Sequence, residues 1–170
     1  QPIHPIPYGA RISPKDSMIQ VFVPEGEFTM GRGHSGSTLS HTVYLDAFWM
    51  DRVEVTNTMY LKCMSAGICT TPASVNIYYD KWAYRNHPIV YISWYQARDY
   101  CQWAQRRLPT EAEWEKSACG TDKRPYPWGF ENPNPRLANF EKNMIHEAVP
   151  VFRYPLGASP YGVLNMSGNV

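Results

Sequence analysis

The sequence lacks several features that would assign a class of function at once. Its charges nearly cancel, with 16 Lys and Arg against 15 Asp and Glu, and no block of basic residues occurs. A nucleic-acid or anionic-membrane surface based on bulk charge is therefore disfavoured. No apolar run approaches the roughly 18 residues of a membrane span. No basic segment followed by an apolar one opens the chain, so we expect any signal peptide or anchor to have been removed.

Turn-forming residues and aromatic rings are abundant instead. The 170 residues include 15 Pro, 11 Gly, 6 Trp and 12 Tyr, spread along the chain. This composition predicts much irregular backbone held in place by large rings. Residues 1–17 contain four prolines and are interpreted as an extended arm that needs a partner surface to become ordered. The domain itself is expected to span residues 18–170.

Local patterns predict short strands followed by helices. Apolar stretches, several with period-two alternation, predict strands at residues 18–23, 28–31, 42–45 and 48–55. Thr56 is expected to cap a first helix. Ser93 with Gln96, and Thr110 with Glu113, form capping boxes that open two further helices. Beyond residue 121 the sequence shows no periodicity, and loops of that extent are normally functional or held by metal ions.

Several stretches, in this order, resemble the formylglycine-generating enzyme (sulfatase-modifying factor) family. They are residues 28–31 (FTMG), 41–60, 87–120, 126–129 (YPWG), 138–139 and 161–170 (YGVLNMSGNV). The RLPTEAEWE stretch at 107–115 is highly specific by itself. The resemblance implies an α+β fold of the C-type-lectin type, with short antiparallel strands, two or three helices and long loops.

The resemblance also bears on activity, because family members bind copper(I) through cysteines in a segment that follows a Gly-Asn-Val triplet and a Trp-Glu-Trp stretch. The sequence ends at Val170, the last residue of such a triplet and before that segment, so copper is not expected in this chain. We therefore expect a non-catalytic domain, acting as a structural, accessory or binding subunit of an extracytoplasmic protein assembly. Residues 1–17 are the candidate docking segment for its protein partners.

Two other functions remain open within the same family. The chain is alternatively the N-terminal portion of a copper-dependent oxidase that converts a sulfatase cysteine to formylglycine. A domain of an ergothioneine-type sulfoxide synthase has less support, because such proteins need an iron-binding helical domain with clustered histidines.

Calcium is the metal that the resemblance implies for this part of the sequence. Asn139 matches a ligand of a first family calcium site, to which neighbouring carbonyls, here that of Phe140, also contribute. A second site begins at Gly168 and Asn169 but takes a glutamate from the following segment, so it is expected to be incomplete. Amide and carbonyl oxygens are ligands that calcium accepts in loops, although Asn139 equally fits a turn residue.

The four cysteines leave several pairings open. Cys63 and Cys69 either close a local disulfide or remain as buried thiols. Cys101 and Cys119 either pair with each other, stay reduced or reach a segment outside this chain. Structural roles are favoured over a reactive pair because neither spacing is a recognised metal or redox motif. An even cysteine count suits an oxidising, extracytoplasmic compartment.

Three glutamates near the third helix form a possible carboxylate cluster. Glu111 and Glu113 are assigned to the helix cap and dipole rather than to acid–base chemistry. Glu115 is expected to form an ion pair with Arg107. The histidines are not clustered at metal-binding spacing, so no zinc or non-haem iron site is predicted.

Overall fold

The computed structural model describes residues 9–31, 40–73, 78–140 and 147–170. Its strands are β1 (Arg11–Ile12), β2 (Ile19–Val23), β3 (Gly26–Met30), β4 (His41–Leu45) and β5 (Phe48–Asp51). Its α-helices are α1 (Asn57–Ser65), α2 (Trp94–Trp103) and α3 (Glu111–Cys119), and two short 3-10 helices occupy Trp82–Tyr84 and Pro155–Gly157. None of the described helices combines the length and apolarity needed to cross a membrane. The fold is α+β, as expected.

The described strands form two small antiparallel sheets. One has the order β1-β2-β5, and the other consists of β3 and β4. The expected strand at residues 48–55 ends at Asp51, which corrects the prediction. The reason is that the backbone beyond β5 bonds to loops: the carbonyl of Arg52 accepts from Leu164 and the carbonyl of Val55 accepts from Ile89.

Residues 9–17 are part of the folded domain rather than a separate arm. β1 pairs with β2 through Arg11 opposite Gln20, and the amide of Ser13 donates to the carbonyl of Met18. Asp16 is only 1% exposed. The domain therefore begins before residue 18, which corrects the expected boundary. Residues 1–8 of the expected arm lie outside the described residues.

All three α-helices begin where their capping residues predict. Thr56 accepts a hydrogen bond from the backbone amide of the third residue after it, as an N-cap does. The capping boxes of Ser93 with Gln96 and of Thr110 with Glu113 both form completely. These short-range contacts fix the start of α2 and α3.

The core depends on residues from the loop-rich half. Tyr60 of α1 stacks on Tyr100 of α2, with ring centroids 5.8 Å apart, and both rings are almost fully buried. A second cluster joins Met18 to Val151, and a third joins β2 and β5 to Val163. Described residues of the loops after α3 therefore contribute to the core although their sequence shows no periodicity.

A buried lysine fixes α3 to the sheets. Lys116 is 1% exposed, and its Nζ donates to the carbonyls of Pro24 and Gly26 at 2.8 and 2.9 Å. Burial lowers the pKa of Lys116. In addition, the Glu115 carboxylate accepts from the backbone amide of Gly31. The connection between β2 and β3, and the residue that follows β3, are thus held directly against α3.

Candidate functional site

A cleft of about 790 Å³ lies between β5, the end of α2, the start of α3 and the last residues of the chain. Its lining combines charged and aromatic side chains, among them Arg11, Trp49, Asp51, Arg106 and Trp114. The guanidinium of Arg11 lies over the Trp49 ring, 4.4 Å from its centre. We call this concave surface the main cleft.

Arg106 lies between two carboxylates at the base of the main cleft. Its Nη2 contacts Asp16 Oδ2, and its Nε lies 3.4 Å from Asp51 Oδ2. The Tyr100 hydroxyl also donates to Asp16, at 2.5 Å. Burial alone would raise the pKa of Asp16, but the hydrogen bonds from Arg106 and Tyr100 lower it to about 2. Asp16 is therefore ionised at neutral pH and shared by two donors.

Asp51 behaves differently from Asp16 although it contacts the same arginine. Burial raises the pKa of Asp51, and the opposing effects of Arg106 and of the Gln20 amide do not compensate for it. Gln20 Nε2 donates to Asp51 Oδ1 at 2.8 Å. The Arg106 guanidinium therefore lies between two carboxylates, of which Asp16 has a lowered pKa and Asp51 a raised pKa. This arrangement favours one negative charge shared around Arg106 over two independent ion pairs.

The cysteines resolve into one disulfide and two thiols. Cys63 and Cys69 are disulfide-bonded, with Cα atoms 5.3 Å apart, across the end of α1. Cys101 and Cys119 form no disulfide within the described part of the chain. Cys101 lines the main cleft, and burial, followed by the negative charge of Asp51, raises its pKa to about 11. Its thiol is therefore protonated at neutral pH and is a poor nucleophile or metal ligand.

The residues assigned to calcium by resemblance meet in one loop junction. The Asn169 amide donates to the Asn139 carbonyl at 2.9 Å. Asn139 is 7% exposed, and its Nδ2 donates to the Glu147 carbonyl, whereas its Oδ1 is buried without a hydrogen-bond partner among the described residues. A Cβ on Gly168 would lie 2.2 Å from the Asn139 carbonyl oxygen, and Gly168 has a φ of +111°. Only glycine fits this close approach. Phe140 is half-buried beside them.

Glu54 connects this junction to the core, a role that the sequence did not predict. Its two carboxylate oxygens accept from Nδ2 of Asn165 and of Asn169, both at 2.8 Å. Burial raises the pKa of Glu54, while the two amide hydrogen bonds favour its ionised form. Oδ1 of Asn169 accepts from the amide of Val149 at 2.9 Å. The side chain of Asn169 therefore has a complete structural hydrogen-bonding role.

Two of the glutamates of α3, Glu113 and Glu115, contact different partners rather than forming one site. Arg107 pairs with Glu113 at 2.5 Å, so the expected pairing of Arg107 with Glu115 is wrong. The arrangement follows from the capping box, which already holds the Glu113 carboxylate at the N-terminus of α3 beside Arg107. The Arg107 hydrogen bond lowers the pKa of Glu113 to about 2, against the opposing effect of burial. Glu113 is thus a structural anion.

Metal-binding side chains are not grouped in the described residues. Among residues 9–31, 40–73, 78–140 and 147–170, no three His, Cys, Asp or Glu side chains are placed to hold one ion. His34 lies outside the described residues, whereas His41 is in β4 and His87 lines a second pocket.

The N-terminal end of α2 exposes an aromatic surface. Tyr91, Trp94 and Tyr95 are 61%, 63% and 65% exposed. The guanidinium of Arg98 lies over the rings of both Trp94 and Tyr95, 5.8 and 5.3 Å from their centres. Arg98 follows Trp94 by four residues and Tyr95 by three, so these three side chains share one side of α2, whereas Tyr91 precedes the N-cap Ser93 by two residues. We call these four residues the α2 aromatic face.

Comparison with known proteins agrees with this architecture. A serine/threonine-protein kinase pkn1 from Chlamydia caviae is 32% identical over 88% of this chain and 26% of its own length. A hercynine oxygenase from Mycolicibacterium smegmatis is 31% identical over 98% of this chain and 46% of its own length. The formylglycine-generating enzyme of Bos taurus is 28% identical over 95% of this chain and 58% of its own length. The chain thus spans about a quarter to just over half of each relative.

Solved structures share the fold. The structure of PvdO from Pseudomonas aeruginosa superimposes with a TM-score of 0.74 at 22% identity, covering 92% of this chain and 70% of that one. The fold defines the class of protein. It is an α+β domain with small antiparallel sheets, three α-helices among the described residues and a core that loop residues complete. The chain belongs to the sulfatase-modifying factor enzyme 1-like family, whose model matches residues 10–170. The resemblance drawn from the RLPTEAEWE stretch is confirmed.

Proposed function

We propose that this chain acts as a non-catalytic, accessory or binding subunit that docks a protein partner through the α2 aromatic face. The observation that carries the proposal is the exposure of Tyr91, Trp94 and Tyr95 beside Arg98. Trp, Tyr and Arg are the residue types most enriched at the centres of protein interfaces. Exposed aromatic groups of this size are costly in water and are typical of interaction surfaces.

The chemistry of the main cleft supports a binding role rather than an oxidative one for these residues. The thiol that lines it, Cys101, has a pKa raised to about 11 by burial. Asp51 accepts a hydrogen bond from Gln20, and Asp16 accepts from Arg106 and Tyr100, in contacts that hold the fold together. A metal ligand or general base needs a group that can be deprotonated or can release its partner near neutral pH.

The partner proposal is tested by substitution within the α2 aromatic face. The variant Trp94→Ser/Tyr95→Ser should lose a stoichiometric partner that the native protein retains when purified from its source cells. Tyr44→Ser is the matched control, because Tyr44 is similarly exposed, at 58%, but belongs to β4 and not to this face. Retention of every partner by the double variant would refute docking at this surface.

The second candidate is the N-terminal portion of a copper-dependent oxidase that converts a sulfatase cysteine to formylglycine. It is favoured by the relative named formylglycine-generating enzyme, which matches 95% of this chain. The two candidates are separated by incubating the purified protein with copper(I), oxygen and a cysteine-containing sulfatase peptide. Formation of formylglycine, detected by peptide mass spectrometry, would overturn the non-catalytic proposal.

Calcium at Asn139 is a further part of the proposal. The buried Asn139 Oδ1 has no hydrogen-bond partner within the described part of the chain, and an amide oxygen is a calcium ligand. Asn139 Oδ1 and the Phe140 carbonyl would hold the ion, which would supply positive charge to a junction of loops. We expect calcium to raise the thermal midpoint of the native protein and not that of Asn139→Ala. An equal response of both proteins to calcium would contradict this assignment.

An extracytoplasmic location completes the proposal. The Cys63–Cys69 disulfide supports it, because disulfides persist mainly in oxidising compartments. Fractionation of source cells, followed by thiol labelling of the protein before and after reduction, tests it. Recovery in the cytoplasm with both cysteines labelled before reduction would overturn it.

A further inference from the structure

A second pocket of about 530 Å³ lies on the side of the domain where the segment 87–92 runs past the 3-10 helix at Trp82–Tyr84. Three tyrosines, Tyr78, Tyr84 and Tyr91, contribute to its lining together with Asn57 and Glu147. Its volume is in the range of small-ligand sites. We call it the tyrosine pocket, and neither the main cleft nor the α2 aromatic face accounts for it.

The tyrosine pocket contains a buried acceptor for which the described residues supply no donor. Asn57 is 3% exposed and its Nδ2 donates to the Tyr84 carbonyl at 2.9 Å, which fixes the orientation of the amide. Its Oδ1 is buried without a hydrogen-bond partner in the described part of the chain. An unsatisfied buried polar atom costs about 1–3 kcal/mol. Such an atom in a pocket lining indicates a missing partner, and for an amide oxygen that partner is a donor.

The electrostatics of the tyrosine pocket favour a cation. Glu147 brings a carboxylate, and burial lowers the pKa of His87, so the imidazole stays neutral at pH 7 and does not repel a positive charge. The rings of Tyr78 and Tyr84 lie 4.5 Å apart. Aromatic faces attract ammonium and guanidinium groups. The Lys81 ammonium, which does not line the pocket, lies 5.2 Å from the centre of the Tyr78 ring, so this ring already attracts a cation of the chain itself.

Tyr91 is held at the rim of the tyrosine pocket in a strained conformation. Its φ is +58°, a left-handed value that is rare for a bulky residue, and its side chain is 61% exposed. The strain is maintained by a hydrogen bond from the amide of Ala73 to the Tyr91 carbonyl. Local strain of this kind is retained mainly at functional positions. Because the Tyr91 ring is exposed, its packing contributes too little stability to offset this backbone strain.

We propose that the tyrosine pocket binds an organic cation that carries N–H donors, an alkylammonium or alkylguanidinium group. The cation donates to Asn57 Oδ1, pairs with the Glu147 carboxylate and contacts the tyrosine rings. The same chemistry is offered by a free amine and by a basic side chain of a peptide. The tyrosine pocket and the α2 aromatic face adjoin at Tyr91, so a substitution there affects both, whereas Glu147 belongs to the pocket alone.

The proposal is tested by titrating the native protein and following the Asn57 side-chain amide by ¹H–¹⁵N NMR. Butylammonium and propylguanidinium should produce saturable shifts, whereas tetramethylammonium, a cation without N–H donors, should bind at least about tenfold more weakly. Acetyl-lysine methylamide and acetyl-arginine methylamide form the peptide arm. Tighter binding of these two assigns a peptide side chain, and equal or weaker binding assigns a free amine.

Two variants locate the site and separate binding from folding. Glu147→Gln should weaken binding about fivefold or more. Tyr91→Gly removes the ring and also relieves the left-handed backbone, so it should weaken binding while the thermal midpoint stays unchanged or rises. Tyr44→Ala is the exposed-tyrosine control and should bind normally. Absence of saturable shifts, equal binding of tetramethylammonium, or full affinity in both pocket variants would overturn the proposal.

Discussion

Replacing Asp16 by Asn should destabilise the protein strongly at neutral pH and hardly at all near pH 2. The carboxylate is almost fully buried between Arg106 and the Tyr100 hydroxyl. The pKa of Asp16 falls from its ordinary 3.8 to about 2, despite burial, because both donors favour the ionised form. That difference corresponds to about 2.4 kcal/mol of stability above pH 4, at about 1.36 kcal/mol for each unit of pKa.

The expected loss at pH 7 is slightly larger than this value. Asp16→Asn leaves the Arg106 guanidinium buried with Asp51 as its remaining carboxylate, and removing one partner of a buried pair costs about 3–5 kcal/mol. Asp51 partly compensates, because the negative charge of Asp16 no longer raises its pKa. We therefore expect a decrease of about 3 kcal/mol in the free energy of unfolding.

The pH dependence has a definite sign. Because the folded-state pKa of Asp16 is lowered, its carboxylate stabilises the protein above about pH 4, and this contribution disappears as the pH falls toward 2. Below that pH the native protein also carries a neutral Asp16, so it and the variant should differ by less than about 1 kcal/mol. Urea unfolding followed by tryptophan fluorescence at pH 7, 5, 3 and 2 measures this difference.

A pair of tyrosines provides the control. Tyr100→Phe removes a donor to a carboxylate and should cost about 1.5–3 kcal/mol at pH 7, with the same loss of effect toward pH 2. Tyr60→Phe removes a donor to the neutral carbonyl of Thr70 and should cost about 1 kcal/mol at every pH. A destabilisation by Asp16→Asn that is constant from pH 7 to pH 2 would refute the reasoning.

Three further perturbations follow from the loop junction, the disulfide and the α3 cap. Gly168→Ala should cost about 3 kcal/mol or more, measured by urea unfolding, because its Cβ would meet the Asn139 carbonyl oxygen at 2.2 Å; an unchanged midpoint would contradict the close backbone approach at this junction. Reduction of Cys63–Cys69 should cost about 2 kcal/mol, the loop entropy of so short a ring, and lower the thermal midpoint by several degrees. Glu113→Gln should cost about 1 kcal/mol at pH 7 in calorimetry, with the difference vanishing toward pH 2 because the pKa of this carboxyl is lowered to about 2; persistence of the full difference at pH 2 would argue against the ion pair.

The parts of the fold that the sequence predicted are those decided over short distances. Thr56, Ser93 and Thr110 cap helices through atoms three residues away, and a pattern of four residues carries that information completely. The strand at residues 48–55 was predicted too long because alternation continues past Asp51, whereas the hydrogen-bond partners of the backbone change there. Periodicity reports which side chains are apolar and does not identify the partner strand.

The buried polar network was beyond local inference for the same reason. The Tyr100–Asp16 hydrogen bond joins residues 84 positions apart, and the Asn169–Glu54 bond spans 115. Lys116 is a typical surface residue of a helix by pattern, yet it is 1% exposed and holds two carbonyls. Asp16 lies three residues before β2, and nothing in that position indicates its contacts with Arg106 and Tyr100.

The loop-rich half is stabilised by side-chain amides that take the place of a backbone ladder. Asn165 and Asn169 both donate to Glu54, and the carbonyls of Val149 and Val151 accept from the same two amides. Each contact satisfies a backbone or carboxylate group that would otherwise be buried without a partner, and such groups cost more than the hydrogen bond itself returns. The sequence therefore needs no periodicity beyond residue 121. Asparagines at fixed separations, with glycine where two backbones meet, act together with the core contacts of Val151 and Val163 in the described part of that half, and they bury the Asn139 Oδ1 at the position where we propose calcium.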